Sequence, residues 1–121
     1  MIMTINFLHR YHKLDLDEFT TVRGPSWLKS LRPGEKVRIT LRNKWLCDAL
    51  VTSMSMVRVG DMAVEFLNQD AEYQGGKPIA SHQDFIDLLN SFRSPAWKQA
   101  TIDDKLVVIH LKRVTAIQLR K

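Results

Sequence analysis

Residues 36–59 read KVRITLRNKWLCDALVTSMSMVRV, and the first seven of them alternate. Val37, Ile39 and Leu41 fall on one side of an extended chain, with Lys36, Arg38, Thr40 and Arg42 on the other. A period of two is that of a half-buried β-strand, aliphatics against a core and cations outward. Asn43-Lys44 reads as the turn into a second strand over 45–59, long enough to bend or bulge. The two runs predict an antiparallel hairpin, and the rest of the fold is built around it.

Upstream, MTINFLHRY (3–11) predicts a strand with Ile5 and Phe7 on one face. Ser26 is placed to cap a short helix over WLKSL, and Pro33-Gly34 marks the turn that launches the hairpin. Downstream, Asp61 is the expected cap of a helix over MAVEFLNQDAEY (62–73), with Met62, Phe66, Ala63 and Leu67 sharing a face and Gly75-Gly76-Lys77-Pro78 ending it. Ser81 and Asp84 resemble a capping box for a further helix, whose Phe85, Leu88, Leu89 and Phe92 recur at helical spacing as a core stripe. After Ser94-Pro95, KLVVIHLKRVTAIQL reads as one or two closing strands. Strands, then helices, then strands predict one α+β domain over 1–121, with a curved or closed β-barrel of about five to six strands and two to three helices.

The chain has 121 residues, enough for one moderate core, and no repeat or Gly/Ser-rich linker. Its longest apolar runs, such as Leu106–Ile109, are far below the roughly 20 residues that cross a bilayer. The first residues lack the pattern of a signal peptide, so a cytoplasmic location without membrane attachment is expected. A single cysteine, Cys47, excludes an internal disulfide and supplies no metal-ligand spacing, and it reads as a buried small hydrophobe. No cofactor or metal is expected. The net charge of +5 is carried unevenly: basic residues crowd positions 9–44, while acids gather at 15–18 and 61–72. That asymmetry favours an anionic partner.

Four strings in order, INFLHRY (5–11), TVRGPSWLKSLRPGEKVRI (21–39), LCDALVTSMSMVRVGDM (46–62) and LVVIHLKRV (106–114), resemble the ASCH domain, a member of the PUA-like β-barrel superfold. The closest resemblance is to the small bacterial ASCH proteins that remove the acetyl group from acetylated cytidine. That resemblance implies a pocket for a free or flipped base, with a lysine, a threonine and an arginine on the strand leading into a turn, and a glutamate from the helix after the long strand. The threonine position falls on Thr21 and the arginine on Arg23; the lysine position falls on Glu18 and the glutamate position on Gln74, with Glu72 nearby. Glu18 cannot replace an amine and the Gln74 amide cannot accept a proton near neutral pH. Catalysis of the family type therefore requires Glu72 as the carboxylate and Lys13 folding back from the preceding turn.

Three functions follow as expectations. In the first, RNA or a modified nucleoside, with DNA as an alternative, is held between residues 19–27 and 61–74. Thr21, Arg23 and Gln74 orient a base, Trp27 stacks on it, and Arg38, Arg42 and Lys44 attract phosphates from one strand face. In the second, the protein is a hydrolase: an amidohydrolase using Thr21 and Glu72, or a ribonuclease drawing its acid and base from Glu18, Glu72, His9 and His12. In the third, a small regulatory protein acts by protein contact through an exposed apolar patch around Trp97 and the surface of helix 83–92. Thr20 and Trp45 read chiefly as structural, and His110 as a local packing or hydrogen-bonding group.

Overall fold

The computed structural model describes residues 3–91 and 100–114. Five strands, β1 (Met3–Phe7), β2 (Glu18–Arg23), β3 (Lys36–Leu41), β4 (Lys44–Arg58) and β5 (Lys105–Val114), form one mixed sheet in the order β1-β3-β4-β5-β2. β1 runs parallel to β3, and the other pairs are antiparallel. Three helices, α1 (Trp27–Ser30), α2 (Val64–Ala71) and α3 (His82–Ser91), and two single 3₁₀ turns at His12–Asp15 and Val59–Asp61 complete the α+β domain.

The predicted hairpin is present. Val37 and Ile39 are fully buried and Lys36 and Arg38 exposed, as the alternation demands. The pattern breaks at the register shift after Ile39: Thr40, expected outward, is buried and donates to Asn6 Oδ1, and Leu41 is half-buried. Its turn lies one residue earlier than expected: Arg42 and Asn43 take the left-handed backbone, with φ of 48° and 67°, and Lys44 already begins β4. Two β1 groups hold this turn, the Phe7 carbonyl accepting from the Arg42 amide and Asn6 Oδ1 from the Asn43 amide. β4 bends as its length suggested, its register with β5 shifting between Val51 and Ser53.

Among the described residues the sheet does not close into a barrel: β1 pairs only with β3 and β2 only with β5, so both are edges there. Neighbouring strands lie about 4.8 Å apart, so four flat steps would separate the edges by nearly 20 Å. Yet Arg23 Nη2 of β2 donates to the Asn6 carbonyl of β1 at 3.1 Å. The sheet therefore curls until its edges meet through a side chain instead of a ladder.

Two apolar clusters lie on the two faces. Ile5, Phe7, Leu14, Phe19, Val37, Ile39, Val51, Ile109 and Leu111 fill the concave side, and Val59, Leu67, Phe85, Leu89, Leu106 and Val108 pack under α2 and α3 on the other. The unbroken apolar run at 106–109 is what a strand buried on both faces requires.

The helices correct the sequence reading in detail. Ser26 makes no side-chain capping bond, and α2 starts after Ala63, not at Asp61. α2 ends at Ala71, short of the glycines, because the following backbone is extended and Tyr73 bridges to Tyr11. Its buried face is Leu67, Asp70 and Ala71. Half of the Ser81/Asp84 box is formed: Ser81 Oγ accepts from the Asp84 amide, while Asp84 Oδ2 accepts from the Ala80 amide instead of that of Ser81. Phe92, the Ser94-Pro95 turn, Trp97 and the chain after Val114 lie outside the described residues. Among the described residues no helix is long and apolar enough to cross a membrane.

Candidate functional site

A cleft of about 540 Å³ opens where the curled sheet stops short of closure. β1 contributes Thr4, Asn6 and Phe7, β2 contributes Thr21, Val22 and Arg23, and α2 and α3 roof it with Asp70, Ala71, Phe85, Leu88 and Leu89. Tyr11, Lys13, Leu8, Gly24 and Trp27 complete the lining.

The polar end holds a buried ion pair. Lys13 and Asp70 are only 4% and 7% exposed, and Lys13 Nζ lies 2.9 Å from Asp70 Oδ1. The same oxygen accepts from Thr20 Oγ1 at 2.7 Å. Local structure explains the meeting. Tyr11 bridges to Tyr73, and the Glu72 carbonyl accepts from the His12 amide, so the 3₁₀ turn is clamped to the C-terminal end of α2. Lys13, next in the turn, is thereby set against Asp70, on the last turn of that helix. Burial draws the Lys13 ammonium below its ordinary pKa, while the Asp70 charge and hydrogen bond oppose the change.

Arg23 closes the seam. Its Nε donates to Thr21 Oγ1 at 3.0 Å, and its guanidinium carbon lies 5.1 Å from the Phe7 ring centroid and 5.7 Å from that of Trp27. Burial pulls its pKa below the ordinary arginine value, and Asp70 and Tyr11 pull it back. Lys13 lies over Phe7 and Tyr11, 5.1 and 5.2 Å from their centroids. Tyr11 is pushed up to about 12, first by burial and then by the Asp70 charge. Buried Lys13 and half-buried Arg23 both bring donors to the polar end beside Asp70, which suits a ligand oxygen that carries or develops negative charge.

Of the residues singled out from sequence, Thr21, Arg23 and Trp27 line the cleft together. Glu72 and Gln74 do not: both are exposed beyond α2, and Glu72 Oε1 stands 3.6 Å from His12 Nδ1. Glu18 is exposed at the start of β2. Arg38, Arg42 and Lys44 are all exposed but do not share one strand face, since Arg42 sits in the turn. Arg38 pairs with Thr4 in the β1–β3 ladder but is not among the residues that line the cleft. His9 stacks on Tyr73 with centroids 4.2 Å apart, and Trp45 is 60% exposed. Cys47 is buried and free, and burial pushes its thiol pKa up. His110 is exposed.

Asp70 was missed, and Lys13 was weighed only as a group folding back. Each left a signal. Asp70 stands three residues after Leu67, a charge on the apolar stripe of its helix, and Lys13 sits between the apolar Tyr11 and Leu14.

No protein-family model matches the chain. The fold is similar to the crystal structure of protein EF3133 from Enterococcus faecalis V583, described under the family model DUF984, with a TM-score of 0.62 at 13% identity. The match covers 84% of this chain and 63% of that one, so the chain spans less than two-thirds of its structural neighbour. At this identity the likeness is one of fold. In sequence the chain is 37% identical over 115 residues to the uncharacterized protein MJ0364 of Methanocaldococcus jannaschii, covering 93% of this chain and 97% of that protein. Agreement at that level along nearly the whole of both chains places this protein in the same family as MJ0364.

Proposed function

We propose that the protein is an amidohydrolase of ASCH-like type that acts on an acylated nucleobase or nucleoside, with a relocated Lys13–Asp70 pair at its centre. The observation that carries the reading is the buried pair itself, 2.9 Å apart in the wall of a cleft that also presents Thr21 and Arg23. A buried ion pair is costly to keep and often adds nothing to stability, so its place at a cleft points to chemistry. Lys13 supplies the amine absent at Glu18, and Asp70 the carboxylate absent at Gln74. Phe7, Tyr11 and Trp27 offer aromatic surface for a planar ring, and the cleft volume lies within the usual range for small-ligand sites, about 300–1,000 Å³.

In the reaction, water attacks the amide carbon while Asp70 takes its proton. A C–O bond forms, and the carbonyl oxygen, gaining charge, faces the N–H groups of Arg23 not engaged by Thr21 and Asn6. Thr21 Oγ1 accepts from Arg23, which leaves its own O–H to orient the substrate. As the C–N bond breaks, the Lys13 ammonium protonates the leaving nitrogen, and the proton on Asp70 passes to Lys13 across their contact. Incubation with N-acylated cytidine, followed by chromatography for free cytidine and carboxylic acid, tests the proposal. Turnover by the wild type, with Asp70→Asn slower by about 10²–10⁴-fold, is expected. Absence of turnover across acetylated and longer-acylated nucleosides overturns it.

A second reading, single-stranded RNA binding, is favoured by the hairpin, where Trp45 is 60% exposed beside the exposed Arg42 and Lys44. Its measurement is the salt dependence of RNA binding, set out in the Discussion.

A further inference from the structure

Thr20 is not among the residues lining the cleft, yet its hydroxyl donates to the cleft carboxylate at 2.7 Å. Alternation along β2 sends Thr20 and Thr21 to opposite faces, Thr21 among the residues of the concave side and Thr20 toward α2. Asp70 thus accepts from two separate elements, Thr20 of β2 and Lys13 of the 3₁₀ turn. Both donors use one oxygen, Oδ1. Among the described residues Oδ2 receives no hydrogen bond, although the side chain is 93% buried by its 7% exposure and borders the cleft. An acceptor buried this deeply without a partner carries a desolvation penalty that a donor can remove.

We propose that Thr20 is a positioning residue: with Lys13 it fixes Oδ1 of Asp70 and so turns Oδ2 toward a donor in the cleft, an N–H of the ligand or the attacking water. The second possibility rests on the hydrolase reading above; the geometric role does not. Lys13 alone cannot impose this orientation, because a single contact to one oxygen leaves the carboxylate free to swing about its χ angles, and two donors from different elements restrict that swing. A β-branched residue suits the task, since Thr has few χ1 choices on a strand.

The test compares Thr20→Val, which keeps the shape and removes the donor, with Thr20→Ser, which keeps the donor. Three-bond couplings of the Asp70 Cβ protons, measured by NMR, are expected to report one χ1 rotamer in the wild type and in Thr20→Ser, and rotamer averaging in Thr20→Val. With acylated cytidine as probe, kcat of Thr20→Val falls roughly tenfold with KM changed less than about twofold, and Thr20→Ser recovers it. A single Asp70 rotamer in Thr20→Val, or averaging in Thr20→Ser, overturns the proposal. If the couplings change as expected while the wild type turns over no acylated nucleoside, the positioning role stands and the hydrolase reading alone falls.

Discussion

Lys13 and Asp70 are the residues on which site and stability meet. Removing one member of a buried pair strands the other charge, which costs about 3–5 kcal/mol, whereas replacing both with apolar groups of similar volume is close to neutral. Lys13→Met is therefore expected to destabilise the protein by that amount in urea unfolding. Lys13→Met combined with Asp70→Leu recovers most of the loss yet has no activity. A double variant as unstable as the single one would mean that the pair is chiefly structural. The two are not paired by the sequence, since they stand 57 residues apart and meet because the 3₁₀ turn docks on the end of α2. Thr21, Arg23 and Trp27 were legible because all three stand in one short segment whose turn aims them at the same space.

Among the elements, the β3–β4 hairpin was the most readable, because period-two patterning over Lys36–Leu41 has no helical counterpart. Its turn was misplaced by one residue because Arg42, a poor candidate for the left-handed region, occupies it. α2 was read too long, since nothing local announces that Tyr73 leaves the helix to bridge Tyr11. The hairpin is also where the RNA-binding reading is tested. If it contacts phosphates, replacing Arg38 and Arg42 with glutamine lowers affinity for single-stranded RNA and reduces the slope of log K against log salt by about 0.7 per lost contact. Fluorescence anisotropy at several salt concentrations measures this; an unchanged slope removes the hairpin from any RNA-binding role.

For the molecule as a whole, the alkaline limit of stability is set in part by Tyr11, buried between the sheet and the end of α2. Its pKa rises from 10.0 to about 12 on folding. The folded state therefore holds this proton more firmly than the unfolded chain does. The resulting stabilisation is complete below about pH 10 and is lost as pH climbs toward 12. Unfolding in urea at pH 8 and pH 11.5 is expected to show the wild type losing about 2 kcal/mol more than Tyr11→Phe. Equal losses in the two proteins would show that Tyr11 ionises as freely as in the open chain.

The strand order has one more consequence, in time rather than in space. β2 carries Thr20, Thr21 and Arg23, but its ladder partner is β5, with Glu18 opposite Lys112 and Arg23 opposite Val107. Early residues of the chain thus wait for some of the latest ones before they have a fixed place, and such distant pairings form slowly. During synthesis on the ribosome the hairpin of β3 and β4 can close long before the cleft has its second wall. An incomplete chain can hold local structure and still lack the cleft, which exists only after the sheet has been completed.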